Sequence, residues 1–232
     1  MTRELSQHDL RAAVRRLPIS VNEMMKRHGN KLIIAGGYLR SVISGEAVSD
    51  IDIFASDPDF AKKCAHDLAE ENHKKVWESK NAITVKMRPV PIQFIHRWTF
   101  PDPVAAIQSF DFTISRAAIW WERKDVYSGW RSICEDDYYS DLAAKRLIYC
   151  APTRIEEVGG SMLRVLKFYQ RGYRIPPESL AAVMARCFSG VHDVDGRTES
   201  EIAFIISGLL REVDPLIDPN HDFHVPSSGS GA

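Results

Sequence analysis

Asp50 and Asp52 stand one residue apart in the stretch Ser49-Asp-Ile-Asp-Ile-Phe54. Side chains alternate faces along a strand, so the two carboxylates share one face while Ile51 and Ile53 share the other and enter a core. Carboxylates this close repel each other unless a cation lies between them. Hard oxygen ligands favour Mg2+ or Mn2+, and magnesium is typically held by one or two carboxylates together with substrate phosphates. The pair therefore suits phosphoryl chemistry in which metal ions clamp the attacking and leaving oxygens. Taken alone, Asp-x-Asp is also a common solvated strand end or turn. Gly36-Gly37 narrows the choice. These glycines follow the apolar run Lys31–Ala35 and precede a predicted helix over Tyr38–Ser44. Bare backbone there lets N–H groups approach a phosphate at a helix N-terminus, although by itself the pair reads equally as an ordinary strand-to-helix turn.

The combination Gly36-Gly37-Tyr-Leu-Arg40, then Asp50-Ile-Asp52-Ile, resembles the signature of the DNA polymerase β-type nucleotidyltransferase superfamily. Within it, the pattern is similar to the head domain of CCA-adding enzymes and bacterial poly(A) polymerases, over roughly residues 31–120. The resemblance implies that Gly36 and Gly37 hold the triphosphate of an NTP and that Asp50 and Asp52 ligate Mg2+ (or Mn2+). Arg40 matches the arginine of the head-domain motif, with Ser41 where an aspartate is usual. Members of the superfamily usually carry a third acid on a later, adjacent strand. The expected position, in Pro91-Ile-Gln-Phe-Ile-His-Arg-Trp98, holds Gln93, an amide that offers an oxygen but no charge. Asp111 has two readings: a third catalytic acid supplied from the start of the next strand, or a strand-start or capping aspartate. Asp102, between Pro101 and Pro103, reads as a turn former.

Residues 145–174 hold seven basic side chains against Glu156 and Glu157. Arg164, Lys167 and Arg171 fall at i, i+3 and i+7, one helical face, with Met162, Leu163, Leu166 and Tyr169 as the expected apolar side. A charge stripe of this kind is commonly a solvated face. Ser161–Ile175 also resembles the helix after the head domain in the same enzymes, which implies nucleotide or phosphate contacts for Arg164 and Lys167. His96 and Arg97 read either as phosphate or base contacts or as exposed strand-end residues. Of Trp120 and Trp121, strict alternation buries one and leaves the other exposed or covered.

These residues need elements to position them. The spacing predicts helix over 8–28 broken at Pro18, strand over 31–35, strand over 50–54, and a helix opened by Asp57-Pro58 and running to about Glu71. A hairpin follows around Lys80-Asn81, then strand over 91–98, and a longer strand, Phe112–Trp121, that turns at 123–125. Helices are expected over 153–172, 177–188 and 198–211. The fold class is α+β: 1–30 N-terminal helices, 31–150 a small mixed-sheet nucleotidyltransferase-like domain, 151–225 a helical part, and 226–232 a flexible tail. A net charge of −1 announces no global nucleic-acid field. The four scattered cysteines read as small buried hydrophobes in a reducing compartment, and the absence of a long apolar run points to a cytoplasmic protein. The expected activity is transfer of NMP to an acceptor hydroxyl on an RNA 3′ end, a protein or a small molecule. The alternative is a catalytically degenerate relative that binds nucleotide or a partner, or serves as a structural module.

Overall fold

The computed structural model describes residues 2–124, 127–152, 158–191 and 196–213. Short apolar runs become strands: β1 (Thr2–Arg3), β2 (Leu32–Ala35), β3 (Ile51–Ala55), β4 (Val76–Glu78), β5 (Ala82–Val85), β6 (Ile92–Ile95), β7 (Ala117–Lys124) and β8 (Tyr127–Glu135). They form one sheet in the order β1-β8-β7-β2-β3-β6-β5-β4. β3 and β6 run parallel. The other pairings are antiparallel. The sequence reading leaves β1 and β8 unassigned; β8 is the return arm of the hairpin that turns after Lys124.

Helix boundaries follow local chemistry. Pro18 divides the predicted N-terminal helix into α1 (Gln7–Arg16) and α2 (Ile19–His28), because the residue before a proline is pushed to extended backbone. Ser6 caps α1, its Oγ accepting from Asp9 N–H at 3.1 Å. α3 (Gly37–Ser44) ends at Gly45 in the left-handed conformation. Asp57 caps α4 (Pro58–Glu71), accepting from Phe60 N–H at 2.7 Å. α4 packs on β3, β5 and β6 with Ala61, Cys64, Ala65 and Leu68 buried.

Three expectations change here. Asp102 is a helix cap rather than only a turn former: its Oδ1 accepts from Ala105 N–H at 2.8 Å and opens α5 (Pro103–Gln108). The predicted strand from Phe112 begins only at Ala117, since Thr113–Ser115 curls into a 3-10 turn. The curl is fixed by Thr113 Oγ1 donating to the fully buried Asp141 at 2.6 Å. Trp120 and Trp121 are both half-buried, not one in and one out. Trp121 pairs with Trp130 across the β7–β8 hairpin, ring centroids 5.9 Å apart, and Lys26 lies over it at 5.5 Å.

The chain divides into two compact units, Met1–Arg154 and Ile155–Ala232. α1 and α2 belong to the first, as does α6 (Tyr138–Ala143). The second holds α7 (Gly160–Gln170), α8 (Pro177–Phe188) and α9 (Glu199–Val213). Residues 153–157, where the helix over 153–172 is expected to start, and the 226–232 tail lie outside the described residues. α7 buries Ser161, Val165 and Phe168. Of the expected apolar side, Met162 and Leu163 are half-buried, whereas Leu166 and Tyr169 are 52% and 58% exposed. Gly159 permits a close crossing: a Cβ there would sit 2.8 Å from the Leu209 carbonyl oxygen of α9.

Cys64, Cys134 and Cys187 are buried and Cys150 is half-buried, all as free thiols. Burial pushes Cys64 up to about 12 and Cys134 to about 11, away from thiolate chemistry. Among the described residues no helix is long and apolar enough to cross a membrane.

The tie between α1 and α3 is testable. Tyr38, 2% exposed, donates its phenol to the Ala13 carbonyl at 2.6 Å, and burial pushes that phenol above its ordinary value. Tyr38→Phe leaves the carbonyl unpaired and is expected to cost about 1–2 kcal/mol in urea denaturation. An unchanged midpoint contradicts the tie.

Candidate functional site

β2 leaves the sheet at Ala35 and turns through Gly36, whose φ of 83° and ψ of −129° suit glycine alone. A second, independent constraint acts at the same atom. A Cβ on Gly36 would lie 2.9 Å and 3.0 Å from two ring carbons of Phe110. Gly36 N–H donates to the Ala117 carbonyl at 3.0 Å, so Gly36 shapes the turn and its amide is already engaged. The first amides of α3, beginning with Gly37, have no partner within the helix and point out of its N-terminus.

Arg40 is held beside this turn, 5% exposed. Its guanidinium nitrogens lie 3.7 Å from where a Gly37 Cβ would be. Nε stands 3.6 Å from Glu46 Oε2, and Nη2 donates to Ser41 Oγ at 3.3 Å. Ser41 is thus a local partner of Arg40.

Register brings the aspartates to the same end of the sheet. β2 and β3 are antiparallel with Leu32 opposite Ala55 and Ile34 opposite Ile53. The outgoing end of β2, with its glycine turn, therefore lies beside the incoming end of β3. Asp50 stands just ahead of that strand, half-buried, accepting from Ser49 Oγ at 2.9 Å. Asp52 is half-buried within it, while Ile51 and Ile53 are 0% and 1% exposed. Phe110 links the two features: it covers Gly36 and meets Phe54 edge-on at 5.9 Å.

On the other side of β3, Asp52 is in register with Gln93 of the parallel strand, and Gln93 with Thr84 of β5. The position beside Asp52 is therefore an amide, followed by a hydroxyl. One step along the same face, Phe54, Ile95 and Ala82 are buried with Phe100, Ala106 and Ile107. That segment covers the apolar half of the face and stops short of the polar row.

Asp111 does not begin a strand. It precedes the 3-10 turn and is 2% exposed, its carbonyl accepting from Cys150 N–H at 2.8 Å. Among the described residues no three His, Cys, Asp or Glu side chains converge to hold a metal, so Asp111 is not gathered with Asp50 and Asp52 into a three-carboxylate group. Arg97 donates to Asn81 at 2.8 Å and lies over Trp98 at 4.9 Å, a structural placement; His96 is half-buried. Arg164 and Lys167 stand on α7 of the second unit, half-buried and exposed respectively. The sequence does not single out Phe110 or Thr84, because only tertiary packing and cross-strand register reveal them. The donor set of Asp50 and Asp52 fits a hard divalent ion whose remaining positions go to phosphate and water.

Comparison with known proteins extends this picture. A family model described as Gabija anti-defense 2 family protein matches residues 10–145. A curated protein of Bacillus phage SPbetaL7 named Gabija anti-defense 2 is 27% identical over 205 residues, covering 86% of this chain and 47% of that protein. Solved structures with the same fold include the Thermotoga maritima CCA-adding enzyme complexed with tRNA, at 18% identity and a TM-score of 0.53, covering 93% of this chain and 52% of that one. Another is a CCA-adding enzyme with ATP, at 18% identity and a TM-score of 0.57, covering 93% and 51%. A tRNA-processing enzyme complex matches at 22% identity and a TM-score of 0.55, covering 83% and 56%. The chain thus has a nucleotidyltransferase fold and spans about half the length of these relatives.

Gly36→Ala tests the turn. Both the backbone conformation and the Phe110 ring oppose a Cβ, so the variant is expected to lose about 1–3 kcal/mol in chemical denaturation. Stability within about 0.5 kcal/mol of the parent contradicts this account of the turn.

Proposed function

The chain belongs to the Gabija anti-defense 2 family, and from that premise we propose that it counters the defence its family is named for by metal-dependent nucleotidyl transfer. The substrate is an NTP and the acceptor a hydroxyl on an RNA 3′ end, a protein or a small molecule. The acceptor oxygen attacks the α-phosphorus, the bond to the β-phosphate oxygen breaks, and pyrophosphate leaves.

The observation that carries this reading is the arrival of the glycine turn and of Asp50 and Asp52 at one end of the sheet. Asp50 and Asp52 would hold Mg2+ (or Mn2+), which when bound offsets the charge that builds on the phosphates. Gly36 gives the turn its shape; the amides of Gly37 and the residues after it receive phosphate oxygens at the start of α3. Arg40, kept beside Gly37 by Glu46 and Ser41, adds positive potential there. Asp111 belongs to the reading as a buried acid ahead of the 3-10 turn, apart from the metal pair. The protein's contribution is positioning and a preorganised field.

A second reading, nucleotide binding without transfer, is favoured by one observation: the neighbour of Asp52 is the neutral Gln93. Two measurements separate the possibilities. Mg2+ with an NTP is expected to raise the melting temperature by several degrees, and Asp50→Asn with Asp52→Asn to remove that rise; no rise in the parent protein defeats both readings. With α-labelled NTPs and a panel of RNA, protein and small-molecule acceptors, the transfer reading requires label on an acceptor, lost by about 10²-fold or more in the double variant (about 3 kcal/mol of barrier). A melting shift with no label under any metal leaves binding as the function, and Gln93→Glu then tests whether a third charge is what the site lacks.

A further inference from the structure

α1 carries a second surface that shares no residue with the nucleotide site. Arg11 and Arg15 are one helical turn apart, exposed, and make no ion pair or side-chain hydrogen bond with any described residue. Leu10 and Val14, also one turn apart, form with Trp130 of β8 the floor of a furrow of about 260 Å³ walled by the two arginines. Val14 and Arg15 also border a second hollow of about 320 Å³ that runs past Leu17 to Ile19 and Lys26. The two hollows therefore adjoin, with Val14 and Arg15 as their common border.

The composition of this furrow selects a kind of partner. Its charge is positive: Arg11, Arg15 and Lys26 outnumber Glu23, the one acid among the lining residues. Its floor is largely aliphatic, and it ends on Ile19, 79% exposed, against 53% for Trp77 and 39% for Val104, the other large apolar side chains exposed among the described residues of the first unit. Exposed apolar surface of this kind, rimmed by charge, marks interaction sites. A nucleic-acid strand matches the arginines but not the rest, because it needs ring faces on which bases stack. Here a single ring, Trp130, stands among the aliphatic Leu10, Val14, Leu17 and Ile19, and its edge-to-face partner Trp121 carries Lys26.

We propose that this furrow is the docking site for an acidic amphipathic segment of a partner protein. The segment lays leucine- or isoleucine-type side chains along Leu10, Val14, Leu17 and Ile19 and sets carboxylates against Arg11 and Arg15, the helix-in-groove mode of recognition. Opposed charge at the rim speeds encounter and fixes orientation, while the apolar floor holds the complex. An anti-defence protein with such a surface can be held on a protein target whatever chemistry its other site performs.

The test uses the full chain and a fluorescent peptide of about 15 residues, with leucines spaced i, i+3, i+4, i+7 and glutamates on the flanks. Two control peptides replace the leucines by serine or the glutamates by lysine, and oligo(dT) and oligo(U) serve as competitors. Anisotropy titration is expected to show binding of the Leu/Glu peptide alone. Arg11→Glu with Arg15→Glu should weaken it tenfold or more, and Ile19→Ser several-fold. All three positions are exposed, so melting temperatures should stay at the parent value and confirm that each variant is folded. The proposal is overturned by any of four results: no binding of the Leu/Glu peptide, equal binding of either control, equal binding by the Arg11/Arg15 variant, or displacement by the oligonucleotides. Sedimentation of the parent alone supplies a fifth: self-association abolished by the same substitutions makes the furrow a contact between copies of this chain.

Discussion

Two carboxylates one residue apart at the open end of a strand repel each other, and the site depends on how the sheet holds them there. β3 is clamped between an antiparallel neighbour and a parallel one. The first pairing sets where the glycine turn emerges; the second sets which residue stands beside Asp52. Slipping the register by one residue would turn Asp52 into the core and Ile53 out of it. Buried Ile51 and Ile53 therefore fix the acids in place as firmly as any direct contact.

The surrounding structure reinforces that end of the sheet. Phe110 is in contact with both the turn and the aspartate strand. Its own backbone is held by Arg116, whose guanidinium donates to the carbonyls of Phe110 at 2.9 Å and Gln108 at 3.3 Å while pairing with Glu135 at 3.4 Å. Asp141 anchors the adjoining 3-10 turn from its buried position, with Arg146 at 2.6 Å as its charge partner. Side chains from several distant segments thus converge on one short loop, and the loop covers Gly36. A rigid seat of this kind is what phosphoryl transfer asks of a protein, since little of the catalysis is covalent and most is placement.

Much of this was legible in local chemistry. Pro18, Asp57-Pro58 and Gly45 mark helix boundaries because their backbone preferences act within a few residues. The polar-apolar alternation of Asp50–Ile53 gave the facing of the acids; Gln93 was singled out only by the resemblance, at the place of a third acid, and the strand register sets it beside Asp52. What escaped was non-local. Phe112–Ser115 has strand-like residue types, yet Thr113 bonds Asp141, 28 residues away, and the chain curls. The ring over Gly36 comes from a part of the sequence with no motif to advertise it. On α7 the buried apolar positions are Val165 and Phe168, while of the expected side Met162 and Leu163 are half-buried and Leu166 and Tyr169 exposed, because a helix with apolar residues on several faces buries whichever one its neighbours cover. The Arg11–Trp130 furrow likewise joins a helix and a strand that no sequence period connects.

The central claim is that Asp50 and Asp52 hold a divalent ion together with the triphosphate of a nucleotide. Its most direct test is Mn2+ titration followed by electron paramagnetic resonance, with and without a non-hydrolysable ATP analogue. The account predicts Mn2+ bound to the parent protein, tighter when the analogue is present, and at least tenfold weaker binding in Asp52→Asn. Equal Mn2+ affinity in the parent and in Asp52→Asn, at both nucleotide conditions, contradicts it.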